Sequence, residues 1–251
     1  MTDHSTLFHG KAVLVTGASS GIGREICIHC ASAGASVILL ARDELRLNET
    51  LGMMKAGDHT IISGDLADAD FIIDTCKNIS PLDGVVHAAG LMKLMPLKFI
   101  DSNLIDEITS VNLKAPILLI STLQKLKKLR PASSIVLLSS VNGAVIGSPA
   151  NSLYAATKGG LQGFCKSASL ELAKNGTRIN CVAPAMVSTE GTAGIEENVS
   201  AESIAADKKN YPLGRYGTPG DIARACMFFL SPVNSWITGT TMVIDGGLTA
   251  H

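Results

Sequence analysis

The feature that most constrains this chain is a repeated alternation. Short apolar runs rich in β-branched residues are each followed by a turn and then by a helical pattern. The runs lie at residues 12–15, 37–40, 60–62, 85–87, 135–138, 178–182 and 242–244. Most are continuous rather than alternating in hydrophobicity, which predicts strands covered on both faces, as in a parallel sheet. Helical patterns fall between them at 21–32, 68–78, 102–128, 151–174 and 220–230. Parallel neighbours need crossover connections, and right-handed crossovers place helices on both faces of the sheet. The expected fold is therefore α/β, a single doubly wound domain spanning 1–251 with a seven-stranded, mostly parallel sheet. At 251 residues and 46% apolar side chains, the chain is long and greasy enough to bury such a core.

Charge excludes several roles. Lys and Arg number 21 against 22 Asp and Glu, a net charge of -1. Nothing here would release counterions from nucleic acid or dock on an anionic bilayer. No apolar stretch approaches the roughly 18 to 20 residues of a membrane span, and the first ten residues lack the basic start and apolar run of a secretory signal. A cytoplasmic protein without membrane or nucleic-acid partners is expected. The six cysteines are scattered, which suits a reducing compartment. Cys27-Ile28-His29-Cys30 has redox or half-metal-site spacing, but no second pair completes four ligands. Lying inside a predicted helix, the two thiols are expected to share a packed face, with no metal bound.

Doubly wound sheets bind ligands beyond the carboxyl ends of their strands. After the first apolar run comes Thr16-Gly17-Ala18-Ser19-Ser20-Gly21-Ile22-Gly23, opening a helix. Glycines at 17, 21 and 23 permit a tight turn and close backbone approach, and the helix start offers free N–H groups to phosphates. A dinucleotide is predicted here, held by Gly17, Ser19, Ser20, Gly21, Ile22 and Gly23. The spacing T-G-x-x-x-G-x-G resembles that of the short-chain dehydrogenase/reductase family. The resemblance runs from Gly10-Lys11 to Asp245-Gly246-Gly247. It implies a Rossmann-type fold and an NAD(P)-dependent oxidoreductase acting on a carbonyl or secondary alcohol.

Ser152-Leu153-Tyr154-Ala155-Ala156-Thr157-Lys158 puts a phenol and an ammonium on one helix face. A free phenol titrates near pH 10, about three units too high for proton transfer at neutrality, a gap of roughly 4 kcal/mol. A cation about 4–5 Å away, at an effective dielectric near 20, supplies about that much. Lys158 is expected to lower the Tyr154 pKa. The resemblance implies that Tyr154 is the acid–base group and that Lys158 also binds the ribose. It implies that Ser140 steadies the substrate oxygen and that Asn112 holds a water against the lysine. Ser139 is expected on the opposite side of its strand as ordinary packing. A serine hydrolase is excluded, because Ser140 lacks a G-x-S-x-G elbow and no His/Asp pair follows in order.

The second strand ends in Leu40-Ala41-Arg42-Asp43. Arginine there accommodates the 2′-phosphate of NADP, whereas an acid grips the 2′-hydroxyl of NAD. Arg42 takes the first loop position, so NADP(H) is favoured over NAD(H). The resemblance assigns further cofactor contacts to Asp65 and Leu66, to Ala89 and Gly90, and to Val187 and Thr189. His87-Ala88-Ala89-Gly90 resembles the family's N-N-A-G with both asparagines replaced, and His87 is expected to be a hydrogen-bonded core residue.

Substrate contacts are expected from Ser140, Asn142, Tyr154 and Met186, with Leu91, Met92, Ala144 and Leu153 on the pocket wall and a lid at about 191–211. The expected activity is that of a ketoreductase, such as a 3-oxoacyl thioester reductase. The alternatives are a sugar or polyol dehydrogenase and, in another class, a non-catalytic redox sensor. Relatives of this kind imply a homodimer or homotetramer built on segments 102–128, 151–174 and the last strand.

Overall fold

The computed structural model describes residues 7–192 and 200–250. Its strands are β1 (Ala12–Thr16), β2 (Ser36–Ala41), β3 (Thr60–Ser63), β4 (Leu82–His87), β5 (Leu129–Leu138), β6 (Arg178–Pro184) and β7 (Thr241–Ile244). They form one seven-stranded sheet in the order β3-β2-β1-β4-β5-β6-β7. Every pairing is parallel, so the sheet is wholly parallel. The helices are α1 (Gly21–Ser32), α2 (Glu44–Met53), α3 (Ala69–Asn78), α4 (Ser102–Thr109), α5 (Ala115–Lys125), the single turn α6 (Val141–Ala144), α7 (Ser152–Leu172), α8 (Ala201–Lys208) and α9 (Pro219–Leu230).

Two cores explain why the strands are continuously apolar. Val13, Val15, Val37, Leu39 and Val86 pack with Ile26, Leu47, Ile222 and Phe229 of α1, α2 and α9. Their strand neighbours Leu14, Leu40, Val85, Ile135 and Leu137 point the other way, onto Ile72, Leu119, Leu123 and Leu161 of α3, α5 and α7. Alternate residues thus serve opposite layers, and neither face is left for water. Cys27 and Cys30 lie buried on the inner face of α1, Cys30 Sγ being 3.5 Å from Met227 Sδ of α9. Burial pushes the Cys30 thiol up to about 12, so it packs as a small apolar group.

The chain departs from the sequence pattern in four places. Helix α2 buries only Leu47 and Thr50 and leaves the apolar Leu45 and Met53 exposed, so no single stripe revealed it; the Asp43 carboxylate caps it by accepting from Arg46 N at 3.1 Å. Helix α8 buries none of its side chains and was hidden for the same reason. It lies in the expected lid, of which residues 193–199 fall outside the described residues. The helix expected over 102–128 is instead α4, a π-helical turn at Ser110–Lys114 and then α5, which ends at Lys125. A π turn inserts an extra residue per turn and re-aims the side chains it carries. Strand β5 also starts well before residue 135, because a register shift opposite Leu82/Gly84 and the positive φ of Ala132 interrupt its pattern.

Candidate active site

Strand order reverses between β1 and β4, where Thr16 pairs with His87. Beyond their carboxyl ends lies a groove of about 460 Å³. Gly17, Ser19, Ser20, Gly21, Ile22 and Gly23 line it, with Arg42, Asp65, Leu66, Ala89, Gly90 and Thr189. Twelve of the expected cofactor residues therefore share one cavity. Val187 does not line it; that side chain is 5% exposed and packs into the core, its backbone bridging to Gly217.

The glycine turn is tighter than phosphate approach alone requires. Gly17 has φ +67, and a Cβ there would stand 2.8 Å from Ala89 N. A Cβ on Gly23 would stand 2.1 Å from Gly17 O. Both positions are needed to lay α1 against β1 and β4, while the turn's own backbone faces the groove. Helices α2, α3, α4, α8 and α9 each have a side-chain cap at the N-terminus, whereas Ser20 gives α1 none. No acidic residue stands in the first turn of α1. Free N–H donors at the positive end of a helix, facing a groove, fit the phosphates of a dinucleotide.

At the far end of the groove, β2 ends at Ala41 and Arg42 is the first loop residue. Asp43, the residue that could reverse the cofactor preference, caps α2 through Oδ1 and also lines the groove. Arg46, one turn into α2, also lines the groove, as does Gly191 opposite. Glu190 reaches across, pairing with Arg46 Nη2 and, at 2.7 Å, with Arg24 Nη1. Sequence reasoning missed Arg46 because it missed α2. It missed Glu190 although the residue directly follows Thr189 of the recognised motif.

The residues expected to do acid–base work gather at the other end. A Cβ on Gly90 would lie 3.4 Å from Lys158 Nζ and 3.5 Å from Asn112 Oδ1, so this set adjoins the groove. Lys158 is buried and donates to Leu138 O at 2.7 Å, with its ammonium 5.6 Å from the centre of the Tyr154 ring. Asn112 sits on the π turn, wholly buried. Its side chain accepts from Leu91 N at 2.7 Å and donates to Leu91 O at 2.8 Å, with a further bond to Thr157 Oγ1 at 3.3 Å. It thereby clamps the backbone beside Gly90. Ser140 hydrogen-bonds Tyr154 and caps α6 by accepting from Asn142 N at 3.2 Å.

That cap sets the distance between β5 and α7. Gly143 has φ +90, and a Cβ there would stand 2.2 Å from Ala155 O, so α6 lies directly on the helix carrying Tyr154. Ser139 faces away, donating to Lys158 O at 2.9 Å and accepting from Gln162 Nε2 at 2.8 Å, a tether rather than plain packing. Asn142 is half-buried and accepts from Ser148 Oγ at 2.8 Å. Met186 is half-buried too, and its carbonyl accepts from Gly217 N at 2.9 Å; it does not line the groove.

The electrostatics correct one expectation. Tyr154 is held above the ordinary phenol value, because burial outweighs the hydrogen bond with Ser140. Lys158 does not pull it down, since its ammonium is turned to the Leu138 carbonyl. Burial also brings Lys158 down to about 8. His87 is buried, its Nδ1 3.0 Å from Thr16 Oγ1. Burial first, and then the Lys158 ammonium, lower it to about 3, so this imidazole stays neutral. Thr16 Oγ1 also accepts from Ala89 N at 3.1 Å, tying the ends of β1 and β4 together.

Known proteins resemble this chain along nearly its whole length. A family model described as enoyl-(acyl carrier protein) reductase matches residues 17–249. Galactitol 2-dehydrogenase (L-tagatose-forming) of Cereibacter sphaeroides is 31% identical, over 98% of this chain and 99% of its own. The 3-oxoacyl-[acyl-carrier-protein] reductase of Rickettsia conorii is 34% identical, over 95% and 97%. Among solved structures, a variant of actinorhodin polyketide ketoreductase with NADPH superposes with a TM-score of 0.89 at 27% identity, covering 96% of this chain and 98% of that one. A putative short-chain alcohol dehydrogenase from Sinorhizobium meliloti 1021 gives 0.88 at 29% identity, covering 98% and 99%. With a wholly parallel sheet reversing at β1 and β4, a glycine turn at its switch point and likeness along the whole chain, this protein belongs to the short-chain dehydrogenase/reductase family of nicotinamide-dependent oxidoreductases.

Proposed function

We propose that the protein is an NADP(H)-preferring ketoreductase in which Tyr154 is the proton donor. The observation that carries this reading is the placement of the buried Tyr154 phenol, hydrogen-bonded to Ser140, with the buried Lys158 ammonium 5.6 Å from the centre of its ring. A phenol above its ordinary value is protonated at neutral pH, the form needed to deliver a proton to a carbonyl oxygen as it is reduced. When bound, the nicotinamide supplies the hydride. Ser140 holds the substrate oxygen against Tyr154, and the Asn112 clamp on Leu91 keeps Gly90 clear of the Lys158 ammonium, which would bind the ribose. Asn142 and Met186 flank the substrate side. Arg42, which has no ion pair among the described residues, would take the 2′-phosphate of NADP together with Arg46.

The substrate class rests on the relatives. Several resemble this chain and act on 3-oxoacyl thioesters, and a polyketide ketoreductase shares the fold. A polyol substrate is the second reading, favoured by the likeness to galactitol 2-dehydrogenase along nearly the whole of both chains. Loss of absorbance of NADPH or NADH with a panel of 3-oxoacyl thioesters, ketoses and simple ketones tests all of this. Consumption of NADPH with the thioesters, faster than of NADH, is expected. Preference for NADH, or binding without consumption, overturns the reading, the latter in favour of a redox sensor.

Two coarser features accompany it. Leu170 on α7 is 77% exposed, and Leu113, Ile117 and Leu118 line an apolar hollow between the π turn and α5. These faces support a homodimer or homotetramer, which mass by light scattering would test. No helix among the described residues is long and apolar enough to cross a membrane. All six cysteines are buried free thiols, which supports a reducing, cytoplasmic setting.

A further inference from the structure

Glu190 stands where the proposed cofactor site offers cations. It follows Thr189 on one wall of the groove, and its carboxylate crosses to Arg46 on the opposite wall. Its second partner, Arg24 in the first turn of α1, is itself fixed by Ser19 O at 2.7 Å, Thr50 Oγ1 at 3.1 Å and Glu49 Oε2 at 3.3 Å. Arg24 therefore has enough partners to stay in place when one bond is lost. Arg46 has no other ion pair among the described residues. The bridge is half-exposed, Arg46 at 40% and Glu190 at 49%, so an incoming anion can reach it. The two Glu190 oxygens are divided, Oε2 on Arg46 and Oε1 on Arg24, and the place that Oε2 takes on Arg46 is one that a phosphate oxygen can fill.

We propose that Glu190 is a strap across the cofactor groove, occupying Arg46 as a surrogate for the 2′-phosphate, and that this phosphate, unlike a 2′-hydroxyl, displaces it. Glu190 is then a determinant of phosphate selectivity. The inference rests on the NADP(H) reading. A dianionic phosphate out-competes a monoanionic carboxylate for a guanidinium, while a ribose hydroxyl brings no charge to do so. Glu190 stays tethered to Arg24 after leaving Arg46, so the strap loosens without detaching.

Calorimetric titration with adenosine 2′,5′-bisphosphate and with adenosine 5′-monophosphate separates the possibilities without any turnover. In wild type, tighter binding of the bisphosphate is expected; equal affinities would sink the NADP(H) reading by themselves. Whatever that ratio is, Glu190→Gln should tighten the bisphosphate roughly threefold, the scale of one exposed ion pair, and leave the monophosphate unchanged. Arg46→Gln should weaken the bisphosphate roughly tenfold. In that background, adding Glu190→Gln should have no further effect, since the strap has lost its anchor. If Glu190→Gln tightens both nucleotides alike, leaves both unchanged, or acts fully without Arg46, the strap is refuted.

Discussion

The two ends of the groove are built on opposite physical terms. Around Tyr154 the polar groups are buried and committed. Lys158 is held by Leu138 O and Asn112 by both backbone groups of Leu91, while Ser140 is engaged by Tyr154 and by the amide of Asn142. Around Arg42 they are exposed ion pairs between arginines and Glu190. Buried hydrogen bonds to backbone leave a side chain one position, since letting go strands an unsatisfied group in a medium without water. Exposed ion pairs contribute little and exchange partners readily. Under the proposed function, geometry is frozen where a proton would move over a short distance, and left exchangeable where a cofactor would be told from its analogue.

Breaking the frozen end should have the larger effect. Tyr154→Phe removes the hydroxyl and keeps the ring, so turnover with any accepted carbonyl should fall about 10³-fold. Binding of the reduced cofactor, followed by its fluorescence, should stay within a factor of about two. Near wild-type turnover would mean that the proton comes from elsewhere.

A smaller effect should come from His87, which lies between the two ends. Its folded value is about 3 against 6.5 for a free imidazole. The unfolded chain therefore takes up a proton first, and stability is lost as pH falls from 6.5 towards 3. Between pH 7 and pH 5 this amounts to about 2 kcal/mol. Denaturant unfolding of His87→Asn at both pH values should show that loss reduced by most of this amount, the acid limb due to carboxylates remaining. An identical pH dependence would place the sensitivity in other groups.

The least effect belongs to the exchangeable end. Asp43→Ala should cost about 1 kcal/mol as a lost helix cap and leave the NADPH-to-NADH ratio of kcat/KM unmoved. A shift of that ratio would show that Asp43 reaches the ribose and that the division between the ends is wrongly drawn.

Much of this was legible from local pattern. The strand runs, the glycine turn and the Tyr154–Lys158 spacing each depend on neighbours within one element, and periodicity carries such information well, whereas Ser140 was identified through the family resemblance. The strand order places those residues together because parallel crossovers leave few topologies. Helix α2 was illegible because its exposed faces carry no apolar stripe, and with it Arg46 was lost. The π turn was illegible because one extra residue in a helix leaves no mark on composition.

For this protein, the order of residues was enough to specify a parallel α/β sheet, its ligand-binding edge and the Tyr154–Lys158 pair, since each follows from short-range spacing and chirality, while Asn112 and Ser140 came from the family resemblance. Three things depended on contacts between distant segments. The phenol was raised rather than lowered, because burial and the turn of Lys158 towards Leu138 O outweigh nearness in sequence. Asp43 became the cap of a helix while still lining the groove. Glu190 met Arg46 across 144 residues. Charge interactions are set by distance and solvent in space, and a linear pattern encodes neither.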